Sequence, residues 1–232
     1  MNTLIYVNPQ AGQGKPLKFL RNTLKDIGSE YQDVTIVLAD SKLEGLEEFT
    51  THSSHATKAL CVGGDGTVHD IARICIEKNI PLGIIPSGSG DDIAHSIGIA
   101  TPKTEKEYRN LVKRFLVENP TERSMTAGKI TFESGSQHFV LGVMSCGFDA
   151  HCNAIANTLK IRGPVRYVLA MLIGLRRFVP VTMGIEVDGQ STQRSIMMMA
   201  IGNGPSYGSG MKVVPHANPF TSSLSAIIVN QC

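Results

Sequence analysis

An apolar run, Leu60-Cys61-Val62, enters Gly63-Gly64-Asp65-Gly66-Thr67 and leaves through Val68-His69-Asp70, residues able to begin a helix. A strand, a glycine loop and a helix start in that order restrict the chain to folds that expose a helix N-terminus at the end of a sheet. The glycines let a bulky anion approach and the helix start carries partial positive charge, so this stretch predicts a phosphate-binding loop. Asp65 is out of character there, because a carboxylate among phosphate-binding amides repels the anion. Its presence predicts a metal ion, a hydroxyl proton or a turn as its partner.

The same arrangement occurs twice more. Leu4-Ile5-Tyr6-Val7 reads as a buried strand that runs into Asn8-Pro9-Gln10-Ala11-Gly12-Gln13-Gly14-Lys15, and Leu17, Leu20, Leu24 and Ile27 then recur at helical spacing up to Gly28. Val34 to Ala39 is the next strand, followed by Asp40, Ser41 and Lys42 and a modest helix from Leu43 to Phe49; Thr50 to Thr57 reads as a loop or a ragged helix end. After the opening loop, Val68, Ile71, Ala72, Ile74, Cys75 and Ile76 predict a helix packed on a sheet. Pro81 to Pro86 is a fourth strand, and Ser87-Gly88-Ser89-Gly90-Asp91-Asp92 is a third loop, with Asp91 or Asp92 placed to cap the helix that follows. A helix from Glu105 to Val117 shows Tyr108, Leu111, Val112 and Phe115 on one face. Alternating strands and helices imply a parallel sheet covered on both faces, with ligands at the carboxyl ends of its strands.

Beyond Asn119-Pro120 the pattern changes to strand-like runs at Gly128 to Phe132, His138 to Val143, Val181 to Val187, Ser195 to Ile201 and Leu224 to Val229, with Asp188-Gly189 as a hairpin turn. Two helical segments, Ala150 to Thr158 and Val165 to Phe178, interrupt them. The expected architecture is therefore a parallel α/β nucleotide-binding domain over residues 1–122 and a β-rich, sandwich-like domain over residues 123–232. Met197-Met198-Met199 reads as strand core, and the glycines at 202, 204, 208 and 210 predict a mobile loop facing the cleft between the domains.

Composition removes several classes of function. The 22 Lys and Arg residues against 20 Asp and Glu give a net charge of +2, so no global field favours nucleic acid. Cys61, Cys75, Cys146, Cys152 and Cys232 are odd in number without paired spacing, which suits buried thiols in a reducing compartment. The N-terminus lacks a basic segment followed by a long apolar one, and the longest apolar stretch, Tyr167 to Leu175, is well short of the roughly 20 residues of a membrane-spanning helix. A cytoplasmic protein is expected. His52 and His55 are spaced like metal ligands but have no companion Cys or Asp nearby, and surface histidines suffice to explain them.

Asn8-Pro9-x-x-Gly12, Gly63-Gly64-Asp65-Gly66-Thr67 and Pro86-Ser87-Gly88-Ser89-Gly90-Asp91-Asp92, in this order, resemble the diacylglycerol-kinase catalytic-domain family, which includes bacterial lipid kinases and sphingosine kinases. Gly147-Phe148-Asp149-Ala150, Gly202-Asn203 and Pro215-His216-Ala217 match that family's second domain. The resemblance implies transfer of the γ-phosphoryl group of ATP to a hydroxyl of a diacylglycerol- or sphingoid-type lipid. It places Asn8, Pro9, Gly12, Gly63, Gly64, Asp65, Gly66, Thr67, Gly88 and Ser89 at the nucleotide, with Ser41 beside them and Asp70 where the family usually has glutamate. Asp65 becomes the candidate catalytic residue, organising Mg²⁺ and orienting the acceptor hydroxyl. Phosphoryl transfer is mostly positioning and charge neutralisation, which amide-rich loops and a magnesium-holding carboxylate supply.

The sequence departs from that family in three places. Asp91 replaces an asparagine and adds charge beside the phosphates, with weaker nucleotide binding or a helix cap as its consequence. Thr221-Ser222 stands where an Asp-Gly pair holds a structural magnesium in some members, so that metal site is expected to be absent. The Asp-Gly-Glu-like motif whose glutamate is the proposed general base does not precede Cys232, so the second domain is expected to be incomplete at its C-terminus. A non-catalytic relative that binds nucleotide or lipid therefore stays open, as does an enzyme resembling NAD kinases, which share the Gly-Gly-Asp-Gly-Thr stretch. A membrane lipid is the expected partner, with peripheral contact at the inner membrane face and self-association both compatible with the sequence. Lys160, Arg162, Arg166, Arg176 and Arg177 around Tyr167 to Leu175 suit either docking on anionic headgroups or a core-packed helix with solvated ends.

Overall fold

The computed structural model describes residues 2–28, 33–38, 41–118, 120–161 and 165–230. Strands β1 (Thr3–Val7), β2 (Val34–Val37), β3 (Lys58–Gly63) and β4 (Leu82–Pro86) pair in parallel in the order β2-β1-β3-β4. Side chains alternate across the sheet, so Leu4 and Tyr6 of β1 enter one core with Phe49, Ile71 and Ile74. Ile5 and Val7 enter the other with Leu20, Tyr108 and Val112. Helices α1 (Lys15–Ile27) and α5 (Glu105–Leu116) thus cover one face, and α2 (Lys42–Ser53), α3 (Asp65–Lys78) and α4 (Asp92–Ser96) cover the other. Burial on both faces is why these strands read as continuous apolar runs. The chain reverses its winding at β1, so the carboxyl ends of β1 and β3 lie side by side at a topological switch point.

Several boundaries differ from the expected ones. Helix α2 runs on to Ser53, because Thr50 and Thr51 donate their hydroxyls to Leu46 O and Glu47 O at 2.7 and 2.9 Å and Phe49 is fully buried. Helix α3 starts at Asp65, so Gly66 and Thr67 belong to its first turn rather than to a loop. His138 to Val143 is not one strand: β6 (Gln137–Val140) pairs with β5 (Gly128–Thr131), and β7 (Val143–Gly147) pairs elsewhere. The break falls at Gly142, whose φ of +88° turns the chain in a way that a side chain resists.

Helices α6 (Phe148–Thr158) and α7 (Val165–Arg177) follow, then β8 (Val181–Val187) and β9 (Gln190–Gly202). Asp188 and Gly189 join this pair with φ of +50° and +79°, the left-handed values of a two-residue hairpin turn. β10 (Ser206–Tyr207) and β11 (Met211–Lys212) form a small hairpin, and β12 (Ser225–Asn230) closes a sheet of order β12-β9-β7, with β8 also on β9. The fold is thus an N-terminal parallel α/β domain followed by a β-rich domain. The boundary proposed at residue 122 falls between α5 and β5.

Asn203 knits the second domain together from inside. It is 1% exposed; its Oδ1 accepts from Gly142 N at 2.7 Å, its own amide donates to Gly142 O at 3.0 Å, and its Nδ2 donates to Thr126 O. Thr221 donates its hydroxyl to Asn218 O at 2.9 Å, which closes the turn that carries Thr221-Ser222. Among the described residues no helix is long and apolar enough to cross a membrane.

Candidate functional site

The loops that follow β1, β3 and β4 converge on one side of the parallel sheet. After β1, Gly12, Gln13 and Gly14 adopt φ of +51°, +60° and +79° in succession, which swings the chain from Asn8 up to the start of α1. Neither α1 nor α3 has a side chain capping its N-terminus, and the first turn of α1 holds no acidic residue. At the start of α1 the Lys15 amide donates to Gly12 O and Pro16 has no N–H, so the helix start that offers an anion-favouring setting among the three loops is that of α3. A cleft of about 640 Å³ between these loops is lined by Asn8, Gln10, Gly12, Gly64, Asp65, Gly66, Thr67, Gly88 and Ser89, among others. A second hollow of about 310 Å³ continues from it past Pro9, Ser41, Lys42 and Asp70.

Glycine is required where loops meet. A Cβ on Gly88 would stand 2.6 Å from the Cα of Gly64, so the second and third loops touch backbone to backbone. Gly63 serves differently: a Cβ there would lie 2.6 Å from that of Thr67. It ends β3 behind the cleft and does not line it, whereas Thr67 does. Asn8 bridges the first and second loops by donating Nδ2 to Thr67 Oγ1 at 3.2 Å, while its Oδ1 accepts from Gln10 N at 3.0 Å.

The three aspartates have separate partners. Asp65 Oδ1 accepts from Ile93 N at 2.9 Å, so this carboxylate, and not Asp91 or Asp92, caps α4. Asp91 occupies the N-cap position with φ of +54°, but its side chain turns back, accepting from Gly88 N at 2.8 Å and from Thr101 Oγ1 at 2.8 Å. Its charge is therefore buried within the third loop, and it occupies the Gly88 amide that the sequence had assigned to the nucleotide. Asp92 reaches across to the second domain, where its two oxygens accept from Ser209 N at 2.9 Å and Gly210 N at 2.8 Å. Ser209 Oγ adds a bond to Ser89 O at 3.1 Å. The glycine-rich segment expected to be mobile is thus the β10–β11 hairpin, tied at its tip to the third loop.

In the smaller hollow, Ser41 caps α2 by accepting from Glu44 N at 3.3 Å, and Asp70 pairs with Lys42 at 2.6 Å. Among the described residues Lys42 is the one cationic side chain that lines the two hollows, and it carries no motif of its own. Burial pushes the Tyr6 hydroxyl above its ordinary pKa, helped by the negative charge of Asp70, so it stays a neutral hydrogen-bonding group there. On the second-domain side, Ser145 donates to Asp149, and burial together with a hydrogen bond to Asp149 pushes the Tyr207 phenol up. The sequence quoted Asp149 without giving it a task; a polar triplet spread over β7, α6 and β10 has no local signature.

A magnesium ion fits this site. Mg²⁺ keeps several waters and binds through one or two carboxylates together with phosphate oxygens, and Asp65 offers one oxygen beyond its helix-capping bond. Among the described residues no group of three or more His, Cys, Asp and Glu forms an all-protein metal cage.

Comparison with known proteins gives the same outline. A family model described as the diacylglycerol kinase catalytic domain matches residues 2–119. A second, described as the YegS C-terminal NAD kinase beta sandwich-like domain, matches residues 142–232. The chain is 29% identical over 214 residues to a diacylglycerol kinase of Mycobacterium tuberculosis, with 91% of this chain and 67% of that protein covered. It is 25% identical over 189 residues to a sphingoid long-chain bases kinase of Arabidopsis thaliana, covering 72% of this chain and 22% of that one. A crystal structure of a diacylglycerol kinase from Bacillus anthracis superposes with a TM-score of 0.70 at 20% identity, over 99% of this chain and 73% of that chain.

Proposed function

The chain belongs to the diacylglycerol kinase catalytic-domain family, and from that premise we propose that it is an ATP-dependent lipid kinase acting on a hydroxyl of a diacylglycerol- or sphingoid-type lipid. The observation that carries this reading is the meeting of three glycine loops and the uncapped N-terminus of α3 around Asp65 at the switch point of the parallel sheet. Amides of the first and second loops and the start of α3 hold the phosphates; Asn8 fixes the spacing of those loops through Thr67. Gly64 and Gly88 keep the slot narrow enough for backbone contact with a triphosphate. Mg²⁺ at Asp65 would neutralise phosphate charge. Asp65 also faces the side from which the β10–β11 hairpin approaches, so an acceptor hydroxyl entering from the second domain meets it. Ser41, Lys42 and Asp70 shape the adjoining hollow for the rest of the nucleotide.

ATP consumption measured with diacylglycerol, sphingosine and NAD as separate acceptors, for the wild type and Asp65→Asn, tests the assignment. Transfer to one of the two lipids is expected, with a loss on the order of 100-fold or more in Asp65→Asn, since removing a charge-organising or proton-handling group costs that much. Full activity in the variant refutes the role of Asp65. Nucleotide binding without transfer to any acceptor favours a non-catalytic relative, a reading supported by the fact that Asp91 and Asp92 spend all four carboxylate oxygens on protein donors. Transfer to NAD alone favours the third reading, supported by the match of residues 142–232 to an NAD-kinase-like sandwich.

A further inference from the structure

The β10–β11 hairpin reaches from the second domain to the third loop and is held by polar bonds at both ends. None of the residues from Ser206 to Lys212 is buried. At the root, Val213 N and Val214 N both donate to Pro205 O at 3.0 Å, and Val214 is 1% exposed within the second domain's buried cluster. Tyr207 hydrogen-bonds Asp149 in the first turn of α6, a carboxylate that also accepts from Ser145 of β7. At the tip, Gly208, Ser209 and Gly210 take φ of +64°, +73° and +94° in succession. Ser209 carries a side chain, and such a residue keeps a left-handed conformation where its surroundings hold it. Here the conformation turns the amides of Ser209 and Gly210 onto the two oxygens of Asp92.

Gly90 separates this tip from the candidate catalytic carboxylate. A Cβ on Gly90 would stand 3.1 Å from Asp65 Oδ2, 3.1 Å from Asp92 Oδ2 and 3.4 Å from Ser209 N, so the three groups close around one glycine. Asp65 caps α4 from the second loop, and Asp92, the first residue of α4, holds the hairpin. A displacement of the hairpin is therefore passed to the start of α4, and also to Ser89, whose carbonyl accepts from Ser209 Oγ. Tyr207 lines neither hollow, so it acts on them through this chain of bonds. We propose that the hairpin is a strap, with Tyr207 and Asp92 as positioning residues at its two ends, and that it fixes the second domain, from which the acceptor enters, against Asp65.

The purpose of the strap rests on the lipid-kinase reading, but amide hydrogen exchange measured without nucleotide or lipid tests it, so the two fail separately. The Ile93 amide, which donates to Asp65, reports the far end of the chain of bonds. Asp92→Asn keeps one acceptor oxygen and sets an NH2 group against the other amide, so exchange at Ser209 and Gly210 rises on the order of 10-fold or more. Tyr207→Phe removes one hydroxyl at the root, and exchange rises severalfold at Ser209, Gly210 and Ile93 while β7 and β9 keep their wild-type rates. Ser209→Ala, at an exposed position that cannot unfold the domain, speeds exchange at Gly210 and Ile93 by roughly threefold or more. Wild-type exchange at Ile93 in both Tyr207→Phe and Ser209→Ala overturns the proposal. Acceleration spread evenly over the second domain in Tyr207→Phe overturns it too, because that marks a loss of stability alone. With the acceptor that the wild type uses, Tyr207→Phe lowers kcat on the order of 10-fold or more and leaves KM for ATP within about twofold; an unchanged kcat is a further refutation. A wild type that transfers to no acceptor refutes the lipid-kinase reading and not the strap, which exchange at Ile93 then decides.

Discussion

In the parallel domain every residue of β1 and β3 is buried, whereas in the β-rich domain β8 has no buried residue and β9 buries only Ile196, Ala200 and Gly202. The first domain has two cores, one on each face of its sheet. The buried cluster of the second is Ala200, Val214 and Ala217, with Val143, Val213 and Ile227 packed around it. Apolar periodicity therefore means different things in the two halves. In α1 and α5 it marks the face turned inward; in α7 it marks the face turned out. Cohesion in the second domain rests more heavily on polar joints such as Asn203.

Three measurements can break or sharpen that contrast. Leu60 is fully buried between helices and sheet, so Leu60→Ala lowers the unfolding free energy by roughly 2–5 kcal/mol, read from the denaturant midpoint. The same truncation at Leu172, 54% exposed, stays within about 0.5 kcal/mol. Equal losses at the two sites would remove the distinction.

Next in size, Asn203→Ala leaves Gly142 N and Thr126 O without their partner and lowers stability by roughly 2–3 kcal/mol. Hydrogen exchange localises the loss to β5, β7 and the end of β9. A loss below about 0.5 kcal/mol would show that apolar packing alone holds that domain.

Burial pushes the Cys75 thiol from its ordinary value near 9 up to about 12. The unfolded chain then gives up this proton first, so the folded state binds more protons and stability falls as pH rises from about 9 to 12. The slope from this group is about 1.4 kcal/mol per pH unit. Alkaline unfolding followed by circular dichroism should therefore be shallower in Cys75→Val, and an unchanged curve would mean the thiol is reached by solvent.

How far the sequence could be read follows the same division. Strands and helices of the parallel domain were legible because two-sided burial leaves uninterrupted apolar runs, and because Gly28 and the three loops punctuate them. The three loops were legible as a group, yet the wiring of their aspartates was not. Asp65 caps a helix 28 positions away, and Asp92 meets amides 117 and 118 positions away. Neighbouring residues carry no trace of such bonds, so the sequence points only to Asp91 or Asp92 as a local cap. Lys42 was overlooked because its partner Asp70 lies on another helix. In the second domain Gly142 divided a run that looked continuous, since a single left-handed residue does not interrupt hydrophobicity.

The contact between Gly64 and Gly88 bears on how a ligand would enter. Two backbones that approach this closely leave no side chain to swing aside, and Asn8 and Asp91 brace the loops on either flank. The slot is set when the chain folds, so the ordering entropy is spent then and little is lost when a phosphate chain arrives. Under the proposed function, calorimetry of ATP association should accordingly show a small conformational entropy loss, and any closing motion would fall to the hairpin tethered at Asp92 rather than to the glycine loops themselves.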